Sequence, residues 1–358
     1  MFYRLSGQFR TSYYEDNRLI GEKLERTVFI ATMLVASIAI PLVASPYLLS
    51  AVLIPFLIFS LAALGLNILT GFAGQVSFGS AAFMAIGAFA SFNLLLRVPA
   101  IPSLLAFLLG GMCASAIGVL FGLPSLRIRG FYLAASTLAT QFFIVWCLSK
   151  VGWFTNYAAS GVITVQHVAP LGFALDNHVS KYLFVLVVVT TLTVVASNLM
   201  RSNIGRSWMS IRDMDVAAEV IGINPLYAKL TAFAVSAFYC GIAGALYSYA
   251  YVSTVEPDGF SLDLSFKILF MIIIGGLGSI LGSFIGAAFI VLLPIWLNVF
   301  FSAMEHFSGL KAPSGITSNV ELIIFGGIII VFLVVEPHGL ARLWQRAKEK
   351  LQIWPLSH

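Results

Sequence analysis

A chain of 358 residues that is 59% hydrophobic and only 10% charged lacks the polar surface of a soluble domain, in which about 25% of residues are charged. This excludes a soluble globular protein and points to a polytopic membrane protein. The net charge of +5 is not a nucleic-acid signature, because the basic residues cluster beside apolar runs, as membrane topology demands.

Residues 1–27 carry both charge signs and read as a cytoplasmic N-terminal segment rather than the short cationic start of a signal peptide. A helix needs about 20 apolar residues to cross the hydrocarbon core. Ten segments are read as spans: 28–44, 48–70, 75–96, 101–122, 131–149, 180–199, 229–252, 266–281, 283–301 and 320–336. The run from Phe266 to Phe301 fits two short helices or one long helix with a re-entrant turn. With ten spans the segments on one side hold Arg4, Arg10, Arg18, Lys23 and Arg26, then Arg127 and Arg129, then Arg201, Arg206, Arg212 and Lys229, then Arg342, Arg346, Lys348 and Lys350. The other side holds only Arg97, Lys150, Lys181, Lys267 and Lys311. The positive-inside rule then places both termini in the cytoplasm. The expected fold is all-α: a polytopic transmembrane helical bundle of about ten spans, N-in and C-in. Its permease domain would cover 28–336, with a cytoplasmic loop at 201–228 and a cytoplasmic tail at 337–358.

The stretch GLNILTGFAGQVSFGSAAFMAIGAF, from Gly65 to Phe89, is rich in glycine and uncharged polar groups. Gly71, Gly74 and Gly79 predict an irregular or tightly packed turn. Irregular backbone at membrane depth is tolerated only inside protein or beside a water-filled path. Asn67, Thr70, Gln75 and Ser77 therefore have two readings: glue between helices, or the lining of a translocation path. Thr137, Thr140 and Gln141 form a second candidate strip in the fifth span.

No acidic residue or histidine lies at the centre of a span. A proton-driven carrier normally keeps an ionisable relay there; a sodium carrier can manage with carbonyls and hydroxyls. The run GGLGSILGS, starting at Gly275, lacks the lysine of a phosphate-binding loop. Gly275, Gly276, Gly278, Gly282 and Gly286 read instead as helix-packing positions, the last three spaced every four residues. Cys113, Cys147 and Cys240 lie in apolar runs and read as packing residues. Tyr247, Tyr249 and Tyr251 read as anchors at the outer interface, and Arg127 and Arg129 as partners of inner-leaflet phosphates. No catalytic residue, metal site or cofactor is expected on this chain. Uphill transport would draw on a partner that hydrolyses ATP.

The inner loop after the sixth span, RSNIGRSWMSIRDMDVAAEVIGINPLYAKLTAF from Arg201 to Phe233, contains a short helix signal. Asp213 or Asp215 suits its N-cap, Ala217, Ala218 and Glu219 its body, and Gly222 a left-handed C-cap followed by Pro225. Met214, Ala217, Ala218 and Ile221 share one face. Such a helix either lies on lipid or docks a soluble partner.

The segment GRSWMSIRDMDVAAEVIGINPLYAKLTAFAVSAFYCGIAGALY resembles the coupling region of the branched-chain amino acid permease family of ABC importers. Ala217, Ala218, Glu219 and Gly222 match its loop motif, and Gly241, Gly244, Ala245, Leu246 and Tyr247 its small-residue pattern. The Gly65–Phe89 stretch, GGLGSILGSFIGAAFIVLLP and the closing EPHGL, with His338 for the usual glutamine, are similar to further family segments; Ser80 departs from the family pattern. The resemblance covers roughly 50–345 and favours the longer of the family's two permease types.

It implies a membrane-spanning subunit that carries branched-chain or related amino acids by alternating access in a bacterial plasma membrane, the inner membrane where there are two. It also implies two cytoplasmic ATP-binding subunits, which hold ATP and Mg, a second permease subunit and an extracytoplasmic solute-binding protein. Asp213 and Asp215 would join the family-matched residues at the ATPase-coupling helix. A permease for urea, short amides or another small polar solute, and an ATP-independent secondary carrier, remain the alternatives.

Overall fold

The computed structural model describes residues 23–98, 101–125, 131–158, 160–164, 177–308, 320, 323–324, 326–327, 330–331, 334 and 339–353. Arg127, Arg129, His338 and most of the N-terminal segment expected in the cytoplasm lie outside them. The tenth expected span, 320–336, is described only at scattered positions, which are helical.

Helices dominate because lipid leaves a backbone no other way to satisfy its own polar groups. The first, α1 (Lys23–Leu34), widens into a π turn (Val35–Ala39) and ends as Ile40–Val43. There follow α2 (Leu48–Phe72), α3 (Ser80–Arg97), α4 (Ser103–Ser125), α5 (Phe131–Lys150) and α6 (His178–Arg201). Two shorter helices, α7 (Asn203–Asp213) and α8 (Asp215–Val220), precede α9 (Pro225–Leu246), which continues as a π turn, Tyr247–Val252. Last come α10 (Leu262–Gly275), α11 (Ile280–Ser308) and α12 (Leu340–Ile353).

Among the described residues seven helices are long and apolar enough to cross a membrane, against the ten spans expected. Two of the shortfalls have local causes. The apolar part of α1, Ile30–Val43, is short. The 14 residues of α10 reach roughly 21 Å at 1.5 Å per residue, less than the ~30 Å core. The run 266–301 therefore folds as a half-length helix, a turn at 276–279 and the long α11, in which Pro294 is accommodated.

α9 is the axis of the bundle and packs against α2, α3 and α4. It runs antiparallel to α2: Phe59 meets Tyr247 with ring centroids 5.8 Å apart, Cys240 Sγ lies 3.8 Å from the Ala62 carbonyl, and Gly65 abuts Tyr239. Side chains are small where α3 crosses α9. A Cβ on Gly87 would strike the Gly241 backbone, and one on Gly244 the Met84 backbone. Dispersion between closely approaching backbones replaces the hydrophobic drive that lipid does not supply. On the periphery α6 holds α1, the Tyr182 hydroxyl donating to the Ala36 carbonyl at 3.0 Å.

Two helices break and restart inside the bundle. α2 ends in a π turn, Ile68–Phe72, and residues 73–79 are non-helical before α3 begins at Ser80, not at 75 as the sequence suggested. α9 ends in its own π turn, and residues 253–261 lead through a 3-10 turn, Pro257–Phe260, to α10. That second break buries Tyr249 and sets Tyr247 between Phe59 and Phe260. The expected outer belt of tyrosines thus reduces to Tyr251, which is exposed.

Candidate functional site

The two restarts meet. Ala81 N–H at the head of α3 donates to Ser265 Oγ in α10 at 3.0 Å, and Ala82 N–H donates to Gln141 Oε1 at 2.7 Å. Gln141 stands midway along α5. Its Nε2 donates to the Phe260 carbonyl at 2.9 Å, and its Oε1 also accepts from Ser265 Oγ at 3.1 Å. The first N–H groups of a helix need outside partners, and α3 has no side-chain cap of its own. Two other helices supply it. Thr137, one turn before Gln141, accepts from Phe78 N–H at 3.0 Å and donates to the Ala134 carbonyl. Thr140 donates to the Ser136 carbonyl within α5.

At the other end of the break, Asn67 joins α2 to the turn between α10 and α11. Its Nδ2 donates to the Ser279 carbonyl and to Ser283 Oγ, both at 2.9 Å, and its Oδ1 accepts from Gly278 N–H at 2.9 Å. Thr70 donates to the Gln75 carbonyl at 3.1 Å, and Ser77 Oγ accepts from Gly79 N–H at 3.3 Å. Of the candidate path residues, Asn67, Thr70, Ser77, Thr137 and Gln141 all have partners within the chain.

Gln75 differs. It is 3% exposed, yet neither Nε2 nor Oε1 has a hydrogen-bond partner among the described residues. Ser80, at the end of the same break, is 1% exposed and its hydroxyl is also unpartnered. Burying a polar group without a partner costs about 1–3 kcal/mol. Two such groups flank one non-helical stretch.

The glycines expected to pack helices do so in part. Gly275 faces the Gly282 backbone and Gly286 the Met271 carbonyl, so α10 and α11 touch backbone to backbone. Gly276 and Gly278 sit in the turn at φ +118° and +73°, not on a helix strip. Gly339, at the head of α12, closes against Gly276.

The inner loop holds two helices where one was expected. Residue Met214 separates them in extended backbone and is the N-cap of α8, without a side-chain cap. Asp213 does not cap α8; it pairs with Arg212 at 2.9 Å. Asp215 is the first residue of α8. The C-terminus follows the expectation: Gly222, at φ +89°, donates to the Glu219 carbonyl, and Ile223 N–H to the Ala218 carbonyl, both at 3.0 Å, the double closure of a Schellman motif. Asn224 then caps α9, accepting from Leu226 and Tyr227 N–H. Only Ala218 of α8 is buried; Ala217 and Glu219 face outward. Met214, Val216, Val220 and Ile221 are 70%, 67%, 84% and 73% exposed. The apolar face read from spacing is thus split, with Ala218 turned in and the larger residues out.

Residues 48–333 match the family described as "Branched-chain amino acid transport system / permease component". The chain belongs to this family. It is similar to the "High-affinity branched-chain amino acid transport system permease protein LivM" of Escherichia coli (strain K12), 27% identical over 343 residues, spanning 89% of this chain and 76% of that protein. The protein of the same name from Salmonella typhimurium (strain LT2) is 26% identical with the same coverage. The "Probable branched-chain amino acid transport permease protein LivM" of Methanocaldococcus jannaschii is 22% identical over 326 residues, spanning 82% of this chain and 93% of that protein. No solved structure matches the chain.

The family segment of this permease opens at Leu48, the first residue of α2, and takes in both breaks, α7 and α8. It leaves out α1 and α12. Its family and its seven apolar helices among the described residues make it a multi-pass membrane protein.

The sequence did not single out Ser265, Ser279, Ser283 or Arg212, and marked Ser80 only as a departure from the family pattern. The serines were legible only as isolated polar residues in apolar runs. Arg212 was counted as an inner-side charge, with nothing to show that it reaches another helix.

Proposed function

We propose that this chain is the membrane-spanning subunit of an ATP-driven importer of branched-chain or related amino acids, working by alternating access. The observation that carries the reading is α8, a six-residue helix held in place by buried Ala218 while Val216, Val220 and Ile221 stand out from it. Large apolar residues on a short helix in a charged loop suit a groove on a soluble partner, where their burial gives about 1.5–3 kcal/mol each. The partners are two cytoplasmic ATP-binding subunits, which hold ATP and Mg; this chain holds neither. A second permease subunit and an extracytoplasmic solute-binding protein complete the assembly, and the N-terminus and C-terminus face the cytoplasm. The family and the names of its relatives support the substrate class.

The route for the solute passes the break at 73–79. Gln75 and Ser80 supply it with polar groups that the chain does not use internally. A zwitterion there exchanges hydrogen bonds with neutral side chains.

Co-purification tests the reading. Wild-type chain and the Val216→Glu/Val220→Glu variant are expressed with candidate ATP-binding subunits and drawn down in mild detergent. An ATPase retained by wild type and lost with the variant is expected. A chain that binds no ATPase yet moves leucine in vesicles would make it a secondary carrier. Leucine uptake blocked by urea or short amides, and not by isoleucine or valine, would overturn the substrate class.

A further inference from the structure

One side chain ties the inner loop to the broken helix. Arg212 lies in the last turn of α7, which is fixed to α9 by Trp208, fully buried with its Nε1 donating to Thr231 Oγ1 at 3.0 Å. From that anchored turn Arg212 reaches out of its own helix. Its Nη1 donates to the Gly71 carbonyl at 2.9 Å, one of the terminal carbonyls that α2 leaves without a helical partner.

Its aliphatic stem lies flat on Gly74. A Cβ there would come 2.9 Å from Arg212 Cγ and 3.2 Å from its Cα. Gly74 also needs its φ of +70°, so stem and break fit only because Gly74 has no side chain. On the far side the guanidinium borders the α10–α11 turn, where a Cβ on Gly278 would be 3.2 Å from Nη1. Asp213 holds the other edge, accepting from Nε at 2.9 Å. One side chain thus touches the end of α2, the start of the break and the turn that Asn67 fastens to α2. Arg212 stands two residues before Met214, the N-cap of α8.

We infer that Arg212 is a positioning residue that transmits displacement of α7 and α8 to the break at 73–79, and so couples the docking helix to the path. The inference rests on the importer reading. A guanidinium suits the task because its rigid planar fork holds the Asp213 carboxylate and the Gly71 carbonyl at once. A lysine offers one flexible ammonium. If Arg212 were only a cap on α2, its loss would lower stability and leave coupling unchanged.

The test uses the full chain reconstituted in proteoliposomes with its ATP-binding subunits, second permease and binding protein. Labelled leucine moved per ATP hydrolysed is measured for wild type, Arg212→Lys, Arg212→Ala and Gly74→Ala, the last of which pushes the stem off the break from the opposite side. The expected result is assembled complexes that hydrolyse ATP but move about tenfold less leucine per ATP for Arg212→Ala and Gly74→Ala, the size of a typical coupling between sites. Arg212→Lys should fall between them and wild type. An unchanged leucine-to-ATP ratio in Arg212→Ala overturns the inference and leaves the importer reading standing. So does a loss of assembly in both alanine variants, which makes Arg212 an architectural residue. A wild-type chain that assembles with no ATPase sinks the importer reading, and this inference with it.

Discussion

Gly278 donates its backbone N–H to Asn67 Oδ1 at 2.9 Å, across 211 residues of chain. The bond ties the last α-helical turn of α2 to the turn between α10 and α11. Asn67 Nδ2 donates to the Ser279 carbonyl and Ser283 Oγ, so every polar group of the Asn67 side chain is spent on that turn. Asn67→Leu leaves the Gly278 N–H without a partner, at about 1–3 kcal/mol, while Ser283 Oγ still donates to the Ser279 carbonyl at 3.4 Å. A fall in the thermal midpoint of the purified protein is expected. An unchanged midpoint would mean that water replaces the amide and that Asn67 faces an open path.

Gln75 should behave in the opposite way. Its amide has no partner to lose, so Gln75→Leu removes an unsatisfied buried group that costs about 1–3 kcal/mol. Stability is expected to hold or rise while leucine uptake falls. Uptake at the wild-type rate, with equal expression, would take Gln75 off the path.

Gln141 caps α3 from a neighbouring helix, and three groups depend on it: Ala82 N–H, the Phe260 carbonyl and Ser265 Oγ. Gln141→Leu should loosen both restarts at once. Amide exchange is expected to quicken at 81–83 and at 260–265 together. Faster exchange at only one of the two segments would show that the restarts are not joined through this side chain.

Gly244 meets the Met84 backbone. A Cβ there forces α3 and α9 apart, and overpacking of this kind costs about 1–3 kcal/mol. Gly244→Val should therefore cut the yield of folded protein, whereas Gly326→Val, where no described residue lies within 4 Å of the added Cβ, should express normally. Equal yields would show that the α3–α9 crossing tolerates separation.

Much of the inner loop was readable because its signals are local. Gly222 in a left-handed cap and Pro225 opening the next helix depend only on residues a few positions away. The capping role read for Asp213 failed because a nearer guanidinium, Arg212, takes its carboxylate. The burial of Tyr249 and the packing of Tyr247 between Phe59 and Phe260 were missed because an aromatic at the end of a span looks the same from sequence whether the chain beyond it leaves the membrane or turns back into the bundle.

The sequence by itself determined the class and the punctuation of this permease. Composition and long continuous apolar runs demanded membrane helices, each of which satisfies its own backbone in lipid, and the glycines from Gly65 to Gly79 marked where α2 would break. Only the tertiary structure decided what those breaks do. The partners of α3's first N–H groups come from Gln141 and Ser265, and that of the Gly71 carbonyl from Arg212. No local pattern encodes such bonds, because they join residues 59 to 184 positions apart and exist only once the helices have packed.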